Sequence, residues 1–173
     1  MFDDFQKHCT ACEKGTPCGK YHVYVLTLDP KIAVEKKRFR LANPDTYDTG
    51  EALYVGKTEC VPRCRQEKHR CFENFESSTW RCYCGLRSET NMYHPIRDRP
   101  TKVKEYLEGD YGFLKPKLFK RLNPFDQSSE ALGAEAALAL RLRQQGYAVW
   151  AGHHDNDIVD RNRRTQSRGG HSP

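Results

Sequence analysis

The stretch SSEALGAEAALALRLRQQG, residues 128–146, is the one long segment whose composition commits it to a single conformation. Serines supply a cap at its start, alanine and leucine fill the interior, arginines lie near the end, and Gly146 supplies the stop. A helix is therefore expected over 128–146. The remaining apolar runs are short. YHVYVLTL (21–28) and LYVGK (53–57) are rich in aromatic and β-branched residues and predict strands, the first largely buried and the second broken by Gly56. YAVWAG (147–152) predicts a third strand emerging directly from the helix. One long helix and a few short strands point to the α/β class, with a small central β-sheet flanked by helices.

The intervening segments are more polar. Residues 29–52 have turn residues at both ends and a basic centre, EKKRFR, and are expected to form an extended loop or irregular hairpin. Residues 61–74 are charged with helical potential. Residues 75–127 are punctuated by prolines and by CYC at 82–84, and are expected to be an irregular insert with a short helix around 101–109. This gives a cysteine-rich N-terminal extension over 1–20, a main domain over 21–158 and a disordered basic tail over 159–173. A chain of 173 residues is long enough for one real core.

Lys and Arg total 29 against 23 Asp and Glu, a balance that suits contact with a polyanion. No apolar run approaches the roughly 20 residues of a membrane-spanning helix. The start, MFDDFQKHCT, has neither the basic nor the apolar region of a signal peptide, so a cytoplasmic location is expected. In a reducing compartment, eight cysteines are better suited to metal than to disulfides.

The first two strands carry tyrosines at comparable places, Tyr24 and Tyr54. After the second come Gly56 and then Arg65 and His69, which share a face if that segment is helical. At these residues the chain resembles the GIY-YIG nuclease superfamily. HVY (22–24) stands where that family has GIY, YVG (54–56) stands where it has YIG, and an Arg-x-x-x-His follows on the next helix. His22 replaces the first glycine of the first motif. The excursion between the two tyrosines is longer than in the repair and homing members. Arg63 is a rival for the arginine role, but only Arg65 keeps the spacing to His69. The resemblance covers roughly residues 21–75 and resumes at Glu135.

Taken singly, each of these residues has an ordinary structural explanation; their joint order is what points to a site. The resemblance implies a metal-dependent endonuclease acting on DNA. Hydrolysing a phosphodiester needs an activated water, neutralisation of charge on phosphorus and help for the departing oxygen. The family assigns the general base to Tyr24, whose pKa neighbouring cations would draw down from about 10. Tyr54 would hydrogen-bond nearby, and His69 would position Tyr24 or relay its proton. Arg65 would present a planar fork to phosphate oxygens. Glu135, set among Ala, Gly and Leu, is the expected ligand of Mg²⁺ or Mn²⁺, with Glu130 better explained by the helix dipole. Gly56 would let the backbone approach substrate, Lys57 and Arg63 would add phosphate contacts, and of the polar residues after the last strand Asn156 is preferred as a further contact.

Cys9-x-x-Cys12 has the spacing of a zinc knuckle; with Cys18 it lacks one ligand, to come from His8, His22 or a later cysteine. Cys60, Cys64 and Cys71 lie close to one helical face, and Cys82 or Cys84 would complete a second site. Structural Zn²⁺ is expected, with the pairing of cysteines left open. Basic residues at 35–40, 63, 68, 70, 97, 99 and 115–121, interleaved with Phe39, Trp80 and Tyr83, fit a nucleic acid tracking across the insert, with RNA as the second candidate. The rival function is a zinc-stabilised nucleic-acid-binding module without catalysis. A His-Asn-His nuclease built on HHDND (153–157) would need a later histidine on a following helix, for which the polar tail is unsuited.

Overall fold

The structure is a computed structural model that describes residues 9, 18, 20–46, 48, 50–59, 61–70, 103–151 and 155; for residues 64, 67, 68, 70 and 104 it describes the backbone alone. Its elements run β1 (His22–Leu28), α1 (Ile32–Glu35), α2 (Lys37–Ala42), β2 (Ala52–Thr58), α3 (Pro62–Arg70), α4 (Pro116–Phe119), α5 (Ser128–Gln144) and β3 (Ala148–Ala151). Short 3₁₀ turns occupy Lys104–Tyr106 and Lys120–Leu122.

The three strands form one mixed sheet in the order β1-β2-β3. β1 and β2 are antiparallel, with Tyr24 opposite Gly56 and Leu26 opposite Tyr54. β3 runs parallel to β2, with Trp150 beside Tyr54. Nearly every strand residue is buried. That is why the sequence shows unbroken apolar runs here instead of alternation. β2 does not break at Gly56, contrary to expectation; it runs through the glycine to Thr58.

α5 lies against all three strands and buries Ala131, Leu138, Ala139 and Leu142. Its end follows the sequence: Gly146 adopts φ 92°, and Tyr147 N–H reaches back to the Leu142 carbonyl at 3.1 Å. Its start does not. The cap is Gln127 rather than a serine, and the Gln127 N–H donates to the Glu130 carboxylate at 3.2 Å, the acid three residues on that a capping box uses.

Residues 29–52 hold two short helices where a loop or hairpin was expected. Ile32, Phe39 and Ala42 point inward, and Phe39 stacks on Trp150 with centroids 6.4 Å apart. Helices of four and six residues have no independent stability, so packing on the sheet supplies it. After α2, Asn43 closes the open edge of β3. Its Oδ1 accepts from Val149 N–H at 2.7 Å and its Nδ2 donates to the Val149 carbonyl at 3.0 Å, as a fourth strand would. Asn123 performs the same service at the far edge, taking Val23 N–H at 2.8 Å and giving to the Val23 carbonyl at 2.9 Å.

The later part of the expected insert belongs to the core. Val103, Tyr106, Leu107 and Phe119 pack into the same cluster as the strands. Tyr21 bridges Phe125, and Leu26 bridges Leu114, so the chain from 112 to 125 runs along the outer edge of β1. The earlier part, 75–100, lies outside the described residues, as do the basic positions 97 and 99 and the tail from 159. Among the described residues no helix is long and apolar enough to cross a membrane.

Candidate active site

Side chains on a strand alternate between faces, so His22, Tyr24 and Leu26 share one face of β1. Their partners across the antiparallel pair, Thr58, Gly56 and Tyr54, share that face. Tyr24 and Tyr54 are therefore diagonal neighbours, within reach of aromatic rings. Their centroids are 5.9 Å apart at 47°. The residue opposite Tyr24 has to be glycine: a Cβ at Gly56 would fall 2.7 Å from Tyr24 Oη and 2.9 Å from Tyr54 Cε1. Gly56 thus clears space for the two phenols.

α3 follows β2 and carries the next two groups. His69 is buried, its Nε2 is 2.9 Å from Tyr24 Oη, and its ring meets Tyr54 edge-on at 5.7 Å. One turn earlier on the helix, Arg65 Nε donates to Tyr24 Oη at 3.4 Å. Arg63 instead points its guanidinium at Gln66 Oε1, 3.5 Å away in the same helix. The arginine that meets the tyrosine is Arg65.

From the other side comes Glu135, fully buried on α5. Its charge raises the pKa of both phenols, and the Arg65 charge lowers both, so all four side chains lie within one electrostatic neighbourhood. Burial is the largest influence. It holds Tyr24 above the usual phenol range even though the Arg65 charge, the Arg65 hydrogen bond and the Tyr54 hydroxyl all pull it down. Tyr54 stands higher still, through burial first and then the neighbouring Tyr24. Arg65 alone therefore does not offset burial at Tyr24: removing a phenolate from water costs more than one guanidinium returns.

A buried carboxylate beside two phenols is an all-oxygen donor set. That chemistry suits a hard divalent cation such as Mg²⁺, with Glu135 as the protein's charged ligand. A carboxylate taken out of water costs several kcal/mol unless positive charge compensates it, and Arg65 and a cation would both do so.

Lys57 Nζ donates to Ser128 Oγ at 2.7 Å and lies 6.0 Å from the Tyr21 ring centroid, so it fastens β2 to the start of α5. Asn156 lies outside the described residues. Its neighbour Asp155 pairs with Arg143 at 2.6 Å and accepts Ala151 N–H at 2.7 Å, tying down the end of β3. Among the cysteines, Cys9 and Cys18 gather with His22, every ligand atom within 4.8 Å of the others. Cys12, Cys60, Cys71, Cys82 and Cys84 lie outside the described residues, and Cys64 is described by its backbone alone. The anchoring of Lys57 by Ser128 had no local signal in the sequence, since the two are 71 residues apart.

No protein-family model, no curated protein and no solved structure matches the chain.

Proposed function

We propose that this chain is a metal-dependent endonuclease that hydrolyses phosphodiester bonds in DNA. The observation that carries the reading is the surrounding of one hydroxyl: Tyr24 Oη lies 2.9 Å from His69 Nε2 and 3.4 Å from Arg65 Nε, with Tyr54 and the buried Glu135 beside it. A proton acceptor, a guanidinium, a second phenol and a carboxylate rarely converge for packing alone. The GIY-YIG resemblance and the surplus of Lys and Arg support the same substrate class.

Tyr24 acts as the base toward the attacking water. It takes the water proton as its own proton passes to His69 Nε2, so the raised affinity of the buried phenol for its proton is met by a relay. The water oxygen forms the new bond to phosphorus, the bond to the departing sugar oxygen breaks, and that oxygen takes a proton from solvent. Arg65, held by its bond to Tyr24 Oη, presents its remaining donors to the non-bridging phosphate oxygens. Tyr54, packed against the Tyr24 ring, fixes where the Tyr24 hydroxyl points. A divalent cation bound by Glu135 would polarise the phosphate and offset negative charge as it develops.

Supercoiled plasmid incubated with Mg²⁺ tests the proposal. The parent is expected to nick and linearise the DNA, and Glu135→Ala to cut at least about 100-fold more slowly. Equal cutting by the two, or none by either, would leave a nucleic-acid-binding module. The same assay on RNA decides between the two polymers.

A further inference from the structure

We propose that Cys9, Cys18 and His22 hold a structural zinc ion that fastens the N-terminal extension to the strand carrying Tyr24. Cys18 Sγ is 3.2 Å from His22 Nε2, and Cys9 Sγ is 4.0 Å from Cys18 Sγ. Around a tetrahedral zinc with bonds of about 2.3 Å to sulfur and 2.0 Å to nitrogen, ligand atoms stand roughly 3.5–3.8 Å apart. Both distances sit within a few tenths of an ångström of that span. The sulfurs are far beyond the 2.05 Å or so of a disulfide. Cys9 and His22 are fully buried and Cys18 is half-buried, so two of the three ligand atoms are withdrawn from solvent. Two soft thiolates with an imidazole favour zinc over the hard cation suited to Glu135.

The position of His22 gives the site its consequence. It opens β1, faces the same side of the sheet as Tyr24 and pairs with Thr58. Val23, between them, is clamped by Asn123. A metal at His22 Nε2 therefore fixes the strand end two residues from the phenol. It also accounts for the departure of the first motif from its glycine: a histidine there serves as a ligand. The extension, which supplies Cys9 and Cys18 to this cluster, gains an attachment from the metal.

Metal content of the full chain, purified under reducing conditions from zinc-supplemented cells, tests this without any cleavage assay, so its failure is distinct from failure of the nuclease reading. The remaining cysteines are able to bind zinc themselves, so the readout is a difference. Cys9→Ser, Cys18→Ser and His22→Ala are each expected to carry one equivalent less than the parent, and His22→Cys to retain it. Should those variants fail to fold, cobalt replacement in the parent decides. Visible absorption of tetrahedral Co²⁺ with thiolate charge transfer, its wavelength moved in His22→Cys, supports the site. Equal zinc in the parent and all variants, or a parent that takes up neither zinc nor cobalt, would overturn it.

Discussion

Tyr24 sits where burial and charge oppose one another, and that opposition makes its role testable. Removing its hydroxyl in Tyr24→Phe deletes the contacts to His69 and Arg65 while preserving the ring's packing. Cleavage is expected to fall at least about 100-fold, with a urea midpoint close to the parent's. Because burial raises the phenol's pKa, Tyr24 keeps its proton at rest and the hand-over to His69 is what lets it act as base. His69→Ala is therefore expected to slow cleavage at least about 100-fold, and cleavage near the parent's rate would remove the relay. Gly56→Ala is the complementary case. A methyl 2.7 Å from Tyr24 Oη and 2.9 Å from the Tyr54 ring forces both phenols aside. Overpacking of this kind costs about 1–3 kcal/mol, read as a lowered urea midpoint, with cleavage lost beyond what the stability change explains.

Among the described residues the sheet has three strands; an asparagine amide, Asn43, finishes the outer edge of β3, and another, Asn123, joins the backbone of 112–125 along the outer edge of β1. Asn43 also donates to the Phe39 carbonyl at 2.7 Å and accepts from Arg143 Nε at 3.1 Å, so its loss strands several buried groups. Asn43→Ala is expected to cost about 2–3 kcal/mol in urea unfolding while leaving cleavage at low temperature near the parent's. A loss under about 0.5 kcal/mol would show that the edge does not need it. These clamps were invisible in the sequence, because Asn43 and Val149 are 106 residues apart and nothing local marks the pair. The helices at 32–35 and 37–42 were missed for a related reason. They bury too few residues to show a period, and Phe39 finds its partner Trp150 only in the folded chain. β1, β2, β3 and α5 were legible because their signals are local: strand-forming runs, a stop glycine and alanine-rich helical composition. The tyrosines, Arg65, His69 and Glu135 were singled out through the resemblance to GIY-YIG nucleases rather than by any one local signal. The gathering of His22 with Cys9 and Cys18 was not legible, since His8, His22 and a later cysteine were equal candidates until tertiary placement brought His22 beside them.

Across the whole molecule, the buried phenols couple folding to alkaline pH. Tyr24 and Tyr54 hold their protons more tightly folded than unfolded, where a phenol titrates near about 10. Their contribution is fully present below that value and is lost as pH rises through the folded pKa values, because the unfolded chain sheds protons first. The urea midpoint is thus expected to decline above pH 10, and to decline less steeply in Tyr54→Phe. The same burial that sets this limit brings the site together from β1, β2, α3 and α5. The central claim is that these elements form a centre for cutting phosphodiesters. Its most direct test is the single-turnover cleavage rate of a labelled DNA duplex at saturating Mg²⁺, for the parent and for Glu135→Ala, with duplex affinity measured on both. The expected result is at least a hundredfold slower cleavage by the variant at unchanged affinity. Equal rates, or a parent that binds the duplex and never cuts it, would contradict the claim.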